Sequence, residues 1–271
     1  MTHRPPLALD QLLVLADQAT CLSDAFHLLE RNDDLTMTVM SAQICTAEEL
    51  ARDLAKWDHA VHILSHTHPT LAQARTALHA VTQHTRLAGE QLGEALVTRG
   101  RRPDSPETST TNAQWDHKLW SAAHQRTRAA RSLLTLVPAT CVQAAAALTH
   151  AVPHTATIQD ITATRQGSLS PLQNAALRAT AEGHLSLAAV GTSTILLNNS
   201  VPRLTKRTLN PLVNRGLVQY DNDYTRARTW RIRLTPAGRA ALLNSLAHPV
   251  HGSTPSAAPV PPPPRRRAGR R

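Results

Sequence analysis

Lys206, Arg207, Asn210 and Asn214 are the residues of this chain whose types and spacing best suit chemistry on a ligand. Lys206, Asn210 and Asn214 stand four apart, so on a helix they make one row, with Arg207 beside it. Cations and carboxamides in such a row donate hydrogen bonds to anions and to carbonyl-rich edges. Arg and Lys suit guanine, and Asn suits adenine. Thr205 precedes the row and can cap the helix start, and Gly216 can close its end. Downstream, Arg226 and Arg228 lie in a polar stretch, where they could contact phosphate or enter a minor groove. Arg231 and Arg233 follow in an alternating stretch that puts them on an outer strand face.

The elements that must position these residues can be read around them. Leu209, Leu212 and Val213 give the stretch Leu204–Val218 an inward face. Pro211 sits inside that stretch. A proline in a helix interior removes a hydrogen bond and costs about 3 kcal/mol. Either the helix kinks there, or it begins at Asn210 with Pro211 in its first position. Upstream, Ser170 can cap a helix that Pro171 opens. Residues 185–198 alternate Leu185, Leu187, Ile195 and Leu197 about Gly191, which predicts a β-hairpin. Leu217 to Tyr220 reads as a strand, and 221–224 as a turn-rich loop. In 229–234, Trp230, Ile232 and Leu234 share one side and Arg231 and Arg233 the other. Thr235 then caps a closing helix with Pro236 first.

This order, with Arg215-Gly216-Leu217-Val218 after the basic helix and Leu234-Thr235-Pro236-Ala237-Gly238-Arg239 opening the last helix, resembles a winged helix-turn-helix domain of the MarR type over residues 169–247. The resemblance implies double-stranded DNA as partner, sequence-specific binding, control of transcription and a possible homodimer. It implies an interface made of Thr205, Lys206, Arg207, Asn210, Asn214, Arg226, Arg228 and Arg231. The chain departs from the family where 185–198 reads as strands, because the family has a helix before its recognition helix.

Charge points the same way. Residues 1–150 hold 13 Lys and Arg against 15 Asp and Glu, and residues 151–271 hold 16 against 4. The whole chain carries +10, so the excess lies entirely in the second half. One basic half beside a near-neutral half suits an anionic partner such as nucleic acid. A solvated basic surface on a domain that docks another protein is the plainer alternative.

The first half predicts an antiparallel bundle of four or five helices. Residues 7–30 repeat Leu12, Leu15, Ala19, Leu22, Phe26 and Leu29 at helical period. A second helix is expected from Thr46, where Thr46 and Glu49 form a capping box, to about His66. Others are expected over 70–98, 113–137 and 138–150, with 101–112 as a loop. His59, His62 and His66 share a helical face, but with no Glu or Cys in metal-binding register a solvated or half-buried stripe is expected rather than a metal site. Trp-Asp-His occurs at 57–59 and again at 115–117, either as a degenerate duplication or by chance, with the tryptophans as core anchors at helix starts. Nucleophile–base pairs, phosphate loops and carboxylate pairs do not stand out, so an enzyme is not expected, nor a cofactor.

The fold class that emerges is mainly α. It consists of a helical bundle at 1–150 for dimerisation or sensing, a linker at 151–168, a winged-helix domain at 169–248, and a disordered Pro- and Arg-rich tail at 249–271. Cys21, Cys45 and Cys141 form no CxxC pair and are expected as buried thiols. Without a signal peptide or an apolar run long enough for a bilayer, a cytoplasmic, nucleoid-associated protein without a membrane partner is expected. Low-specificity DNA binding in plasmid or chromosome maintenance, and a protein-interaction scaffold, are the other functions open to such a chain.

Overall fold

The computed structural model describes residues 8–31, 37–66, 68–100, 109–151, 169–190, 193–198, 203–221 and 229–248. The chain is mainly helical, with a small antiparallel sheet. Five helices come first: α1 (Asp10–Arg31), α2 (Met37–Ser65), α3 (Ala72–Gly100), α4 (Ser109–Leu134) and α5 (Val137–Ala151), with a 3-10 turn at Pro69–Leu71. Then follow α6 (Pro171–Ala181), β1 (Leu185–Val190), β2 (Ser193–Asn198), α7 (Lys206–Asn214), β3 (Val218–Asp221), β4 (Thr229–Leu234) and α8 (Pro236–Ala247). Ala151, the first residue of the linker expected at 151–168, closes α5; residues 152–168, 222–228 of the wing loop and the tail at 249–271 lie outside the described residues.

The helices form where the apolar period predicts them. All six periodic residues of α1, from Leu12 to Leu29, are buried. Each fully buried Leu or Phe contributes about 1.5–3 kcal/mol relative to exposure. Helix α2 begins earlier than the capping box at Thr46 suggests. Met40 and Ala47 are buried and Ile44 packs against the core, so the apolar stripe runs upstream through Thr46. The Thr46 hydroxyl accordingly donates back to the Ala42 carbonyl at 3.0 Å instead of capping. Helix α4 likewise starts inside the expected loop, at Ser109. Helices α2 and α3 run antiparallel, with Asp58 beside His79 and Ala47 beside Gly89.

Trp57 is buried as a core anchor, but well inside α2 and not at a helix start, because α2 begins upstream at Met37; the side chain of Trp115 lies outside the described residues. Of the thiols, Cys141 is buried, Cys21 is half-buried and Cys45 is exposed, which corrects the expectation that all three are buried. Contrary to the expectation that no apolar run is long enough, residues 10–29 and 118–151 pass a length-and-composition test for crossing a membrane. About half of each is buried inside the protein (56% and 50%), as the core helices of a bundle would be, and the second is broken by the α4–α5 turn.

Among the described residues the sheet has strand order β2-β1-β4-β3, antiparallel throughout. The β1–β2 hairpin pairs Leu185 with Asn198 and Val190 with Ser193, as the alternation predicts. Helix α6 opens with a full capping box: Ser170 accepts from the Gln173 amide while Gln173 accepts from the Ser170 amide. Its end turns through Gly183, whose φ is +75°. A Cβ there would meet Thr20 of α1 at 2.5 Å, so glycine serves both the turn and the close approach.

The two sequence motifs flanking the β3–β4 hairpin are built onto each other. The Thr235 hydroxyl accepts from the Gly238 amide at 3.1 Å, capping α8, and lies 2.6 Å from the Gly216 carbonyl. The Thr235 amide donates to the Leu217 carbonyl at 3.1 Å. A Cβ on Gly238 would overlap that same carbonyl. One apolar cluster runs from Leu9 to Leu243. Helix α8 packs on α5 and α1, and α6 packs on α5, so the sheet and its helices share a core with the N-terminal helices.

Candidate nucleic-acid interface

Helix α7 is anchored by Thr208, Leu209 and Leu212, all buried, with Val213 packed behind them. Their spacing turns the opposite face outward, and Arg207, Asn210 and Asn214 are exposed on it. Thr205 is exposed in the N-cap position in an extended conformation. Its side chain makes no capping hydrogen bond, and its carbonyl instead accepts from the amides of Thr208 and Leu209. The helix starts at Lys206 and carries Pro211 within it, so the alternative start at Asn210 does not hold. Burial of Leu209 on the first turn fixes the helix before the proline is reached. At the far end Gly216 takes φ +66°, with its amide on the Val213 carbonyl and the Leu217 amide on that of Leu212. This double closure is a Schellman end, which requires a residue at ease with positive φ. The chain leaves it directly as β3.

Lys206 departs from the row expected of it. It is half-buried, and its ammonium donates to both the carbonyl and the hydroxyl of Thr194 on β2. The outward row on α7 is therefore Arg207, Asn210 and Asn214, flanked by exposed Arg203 and Arg215.

Arg231 is a clearer correction. Only 6% of it is exposed. It does not lie on an outer strand face: its guanidinium donates to the Asp24 carboxylate of α1 at 3.1 Å and lies 3.7 Å from that of Asp17. Arg233, half-buried, donates to Asp17 through Nε at 2.9 Å and to Asp221 at 3.0 Å. The alternation of β4 is as expected, with Ile232 in the core on the opposite face. The physical reason for the difference is that α1 covers the arginine face with carboxylates. Asp17 and Asp24, seven residues apart, fall on one stripe of α1 beside its apolar face. Two acids on one stripe of a core helix was the signal in the sequence for buried basic partners. Burial raises the Asp24 carboxyl above its ordinary range, opposed chiefly by Arg231. The hydrogen bond to Asp17 holds the Arg233 guanidinium charged still more firmly than usual. Arg226 and Arg228 lie outside the described residues.

The histidine stripe of α2 lines a groove against α3, with His59, His62 and His66 near Arg75 and His79. His62 and His66 meet edge to face at 4.9 Å, and His79 Nδ1 lies 2.9 Å from Asp58. Arg75 chiefly holds the His62 imidazole below its usual range. Among the described residues, no three His, Cys, Asp or Glu side chains are grouped to hold a metal ion.

Comparison with protein-family models, with curated proteins and with solved structures finds no match to this chain.

Proposed function

We propose that this chain binds double-stranded DNA through a winged-helix arrangement of residues 169–248, and that it regulates transcription. The observation that carries the reading is the outward row Arg207, Asn210 and Asn214 on a helix anchored by Leu209 and Leu212. It presents a cation and two carboxamides to solvent, the pair of chemistries that reads guanine and adenine edges. Two further features support it. Apart from the β1–β2 hairpin, the element order α6, α7, β3, β4, α8 follows the order of the family that the sequence resembles. Sheet neighbours β4 and β3 are the strands that would carry Arg226 and Arg228 between them as a wing. Because Arg231 and Arg233 are paired with carboxylates, the charge for phosphate comes from Arg203, Arg207, the wing and the tail.

Low-specificity binding, in plasmid or chromosome maintenance, is favoured by two observations. The β1–β2 hairpin stands where the family has a helix, and α7 is nine residues long. Both features limit how many bases the domain can reach.

The test is selection from a pool of random duplex DNA by the full-length chain, followed by sequencing and a salt titration. The full chain is required because removing α1 would strip Asp17 and Asp24 from the arginines of β4. Enrichment of a short motif supports a sequence-specific regulator. Binding with a steep salt slope and no enrichment supports the low-specificity reading. Absence of binding at low salt overturns both and leaves a scaffold.

A further inference from the structure

The histidine stripe of α2 and Arg75 of α3 line one groove of about 730 Å³. Its charge is unbalanced. Arg75 is exposed and, among the described residues, has no carboxylate partner. Asp58 is the one acid among the residues lining the groove, and it already lies 2.9 Å from His79 Nδ1. We propose that this groove binds the phosphoryl group of a small phosphate monoester, held by the Arg75 guanidinium from α3 and by the imidazoles of His59, His62 and His66 from α2.

The donors of the groove select an anion. Ser65 and Thr76 also line it, but their hydroxyls donate to the carbonyls of His62 at 2.7 Å and Ala72 at 3.0 Å. The donors left for a ligand are the guanidinium N–H groups of Arg75 and the imidazole N–H groups. His62 Nδ1 is shielded from solvent and meets no hydrogen-bond partner among the described residues. No acceptor within the chain claims its proton, so the ring is free to carry it on the nitrogen that a ligand reaches. A metal ion has the wrong charge, because the Arg75 guanidinium is always cationic and already holds the His62 imidazole below its usual range.

Oxygen count separates phosphate from carboxylate. A carboxylate has two oxygens, which one guanidinium fork satisfies. A phosphate monoester presents three acceptor oxygens, enough to take the fork of one helix and imidazoles of the other. Its second pKa of about 6 lies beside the ordinary histidine value of about 6.5, so dianion and imidazolium coexist just where both titrate. The groove is larger than a phosphate ion needs and falls within the range of small-molecule sites, roughly 300–1,000 Å³. Ala55, Pro69 and Ala72 line the remainder and suit the organic body of an ester.

Binding at this groove is linked to protons. The groups that act on His62 are Arg75 of α3 and His66, His59 and Asp58 of its own helix. The Pro69–Leu71 turn brings no titratable side chain, and His79 of α3 is engaged with Asp58. An anion beside Arg75 offsets the repulsion that disfavours the His62 imidazolium. Binding therefore favours protonation of His62, and affinity rises as pH falls through the histidine range.

Phosphate binding here does not depend on DNA binding by the second half. Calorimetric titration of the full-length chain with phenyl phosphate near pH 6.5 is expected to show saturable binding. The basic second half also attracts anions, so variants locate the site. Arg75→Gln, at an exposed position that leaves helical circular dichroism unchanged, is expected to weaken phenyl phosphate about tenfold. Arg86→Gln, on the same helix but outside this groove, is expected to leave it unchanged. Sulfate stays doubly charged from pH 6 to 8 and so reports the protons of the protein alone. Its affinity is expected to rise severalfold as pH falls over that range, and His62→Gln to reduce the rise. Benzoate is expected to bind more weakly than phenyl phosphate, and the affinity for duplex DNA to be insensitive to Arg75→Gln. Absence of saturable phenyl phosphate binding overturns the proposal, as does binding that Arg75→Gln leaves intact. Benzoate bound as tightly as phenyl phosphate makes the groove a carboxylate site, and an equal loss of duplex affinity in Arg75→Gln makes it a nucleic-acid contact; either result overturns the assignment. Sulfate affinity that stays flat with pH overturns the role of the histidines.

Discussion

Arg231 on β4 donates to the carboxylate of Asp24 on α1 at 3.1 Å, joining positions 207 residues apart. The side chain of Arg231 is 7% exposed and that of Asp24 35%, so the pair sits at the inner edge of the seam between the N-terminal helices and the sheet. Asp17 and Arg233 extend it outward, and Asp221 closes it on β3. A buried cation whose partner is removed costs far more than a surface ion pair contributes. The seam thus makes the sheet depend on α1 for its stability.

Arg231→Ala is expected to destabilise the chain by about 3 kcal/mol, because it leaves Asp24 without its strongest partner in a partly desolvated site. Urea denaturation measures this. The DNA affinity of the folded fraction should be unchanged, since the residue faces α1. Lost affinity without lost stability would place Arg231 at the nucleic acid after all.

Asp24 also sets a pH dependence. Burial raises its folded-state pKa above the ordinary 3.8, so between these two values the folded chain holds more protons than the unfolded one. Stability from this group is therefore present below 3.8 and declines as pH rises through the raised folded value. Asp24→Asn removes the titration. The stability of the parent relative to Asp24→Asn, measured by denaturant titration from pH 7 down to 4, is expected to increase as pH falls. A difference that stays flat or shrinks would show that Arg231 outweighs burial.

The thiols should separate by rate. Burial pushes the Cys141 thiol up to about 12 and raises that of half-buried Cys21, while Cys45 is exposed. Because the thiolate is the reactive form, a disulfide reagent at pH 8 is expected to modify Cys45 first. Cys141 should react only on unfolding. Mass spectrometry of peptides after a short exposure checks the order.

Gly238→Ala is expected to destabilise by about 3 kcal/mol, as overpacking does where the neighbour is backbone, because its Cβ would overlap the Leu217 carbonyl that Thr235 also binds. Thermal unfolding measures it. The loss should appear even though alanine is the better helix former.

On α7, Arg207→Ala is expected to weaken binding to an enriched DNA motif by about 1–3 kcal/mol. Lys206→Met, which keeps the apolar stem and loses the ammonium, should act less on affinity and more on stability, because Lys206 holds Thr194. Shift assays beside thermal melts separate the two. Equal losses of affinity would return Lys206 to the DNA-facing row.

Local pattern determined much of what the sequence alone could tell. The 3.6-residue period fixed α1 and the buried face of α7, alternation fixed the β1–β2 hairpin, and Thr235-Pro236 fixed the start of α8. Each is a choice that a few adjacent residues make by burying one face or satisfying one amide. Ends were less legible, because an apolar stripe overrode the Thr46 capping box and carried α2 back to Met37. Only the tertiary structure decided where the charges go. Alternation puts Arg231 and Arg233 on one side of β4 but says nothing of what covers that side. The answer depended on Asp17 and Asp24, more than 200 residues away, being carried to that face by helix packing. Lys206 was decided the same way, by a strand edge brought within reach of its ammonium. A charge's partner is a long-range property, and one chain read in order shows only its short-range neighbours.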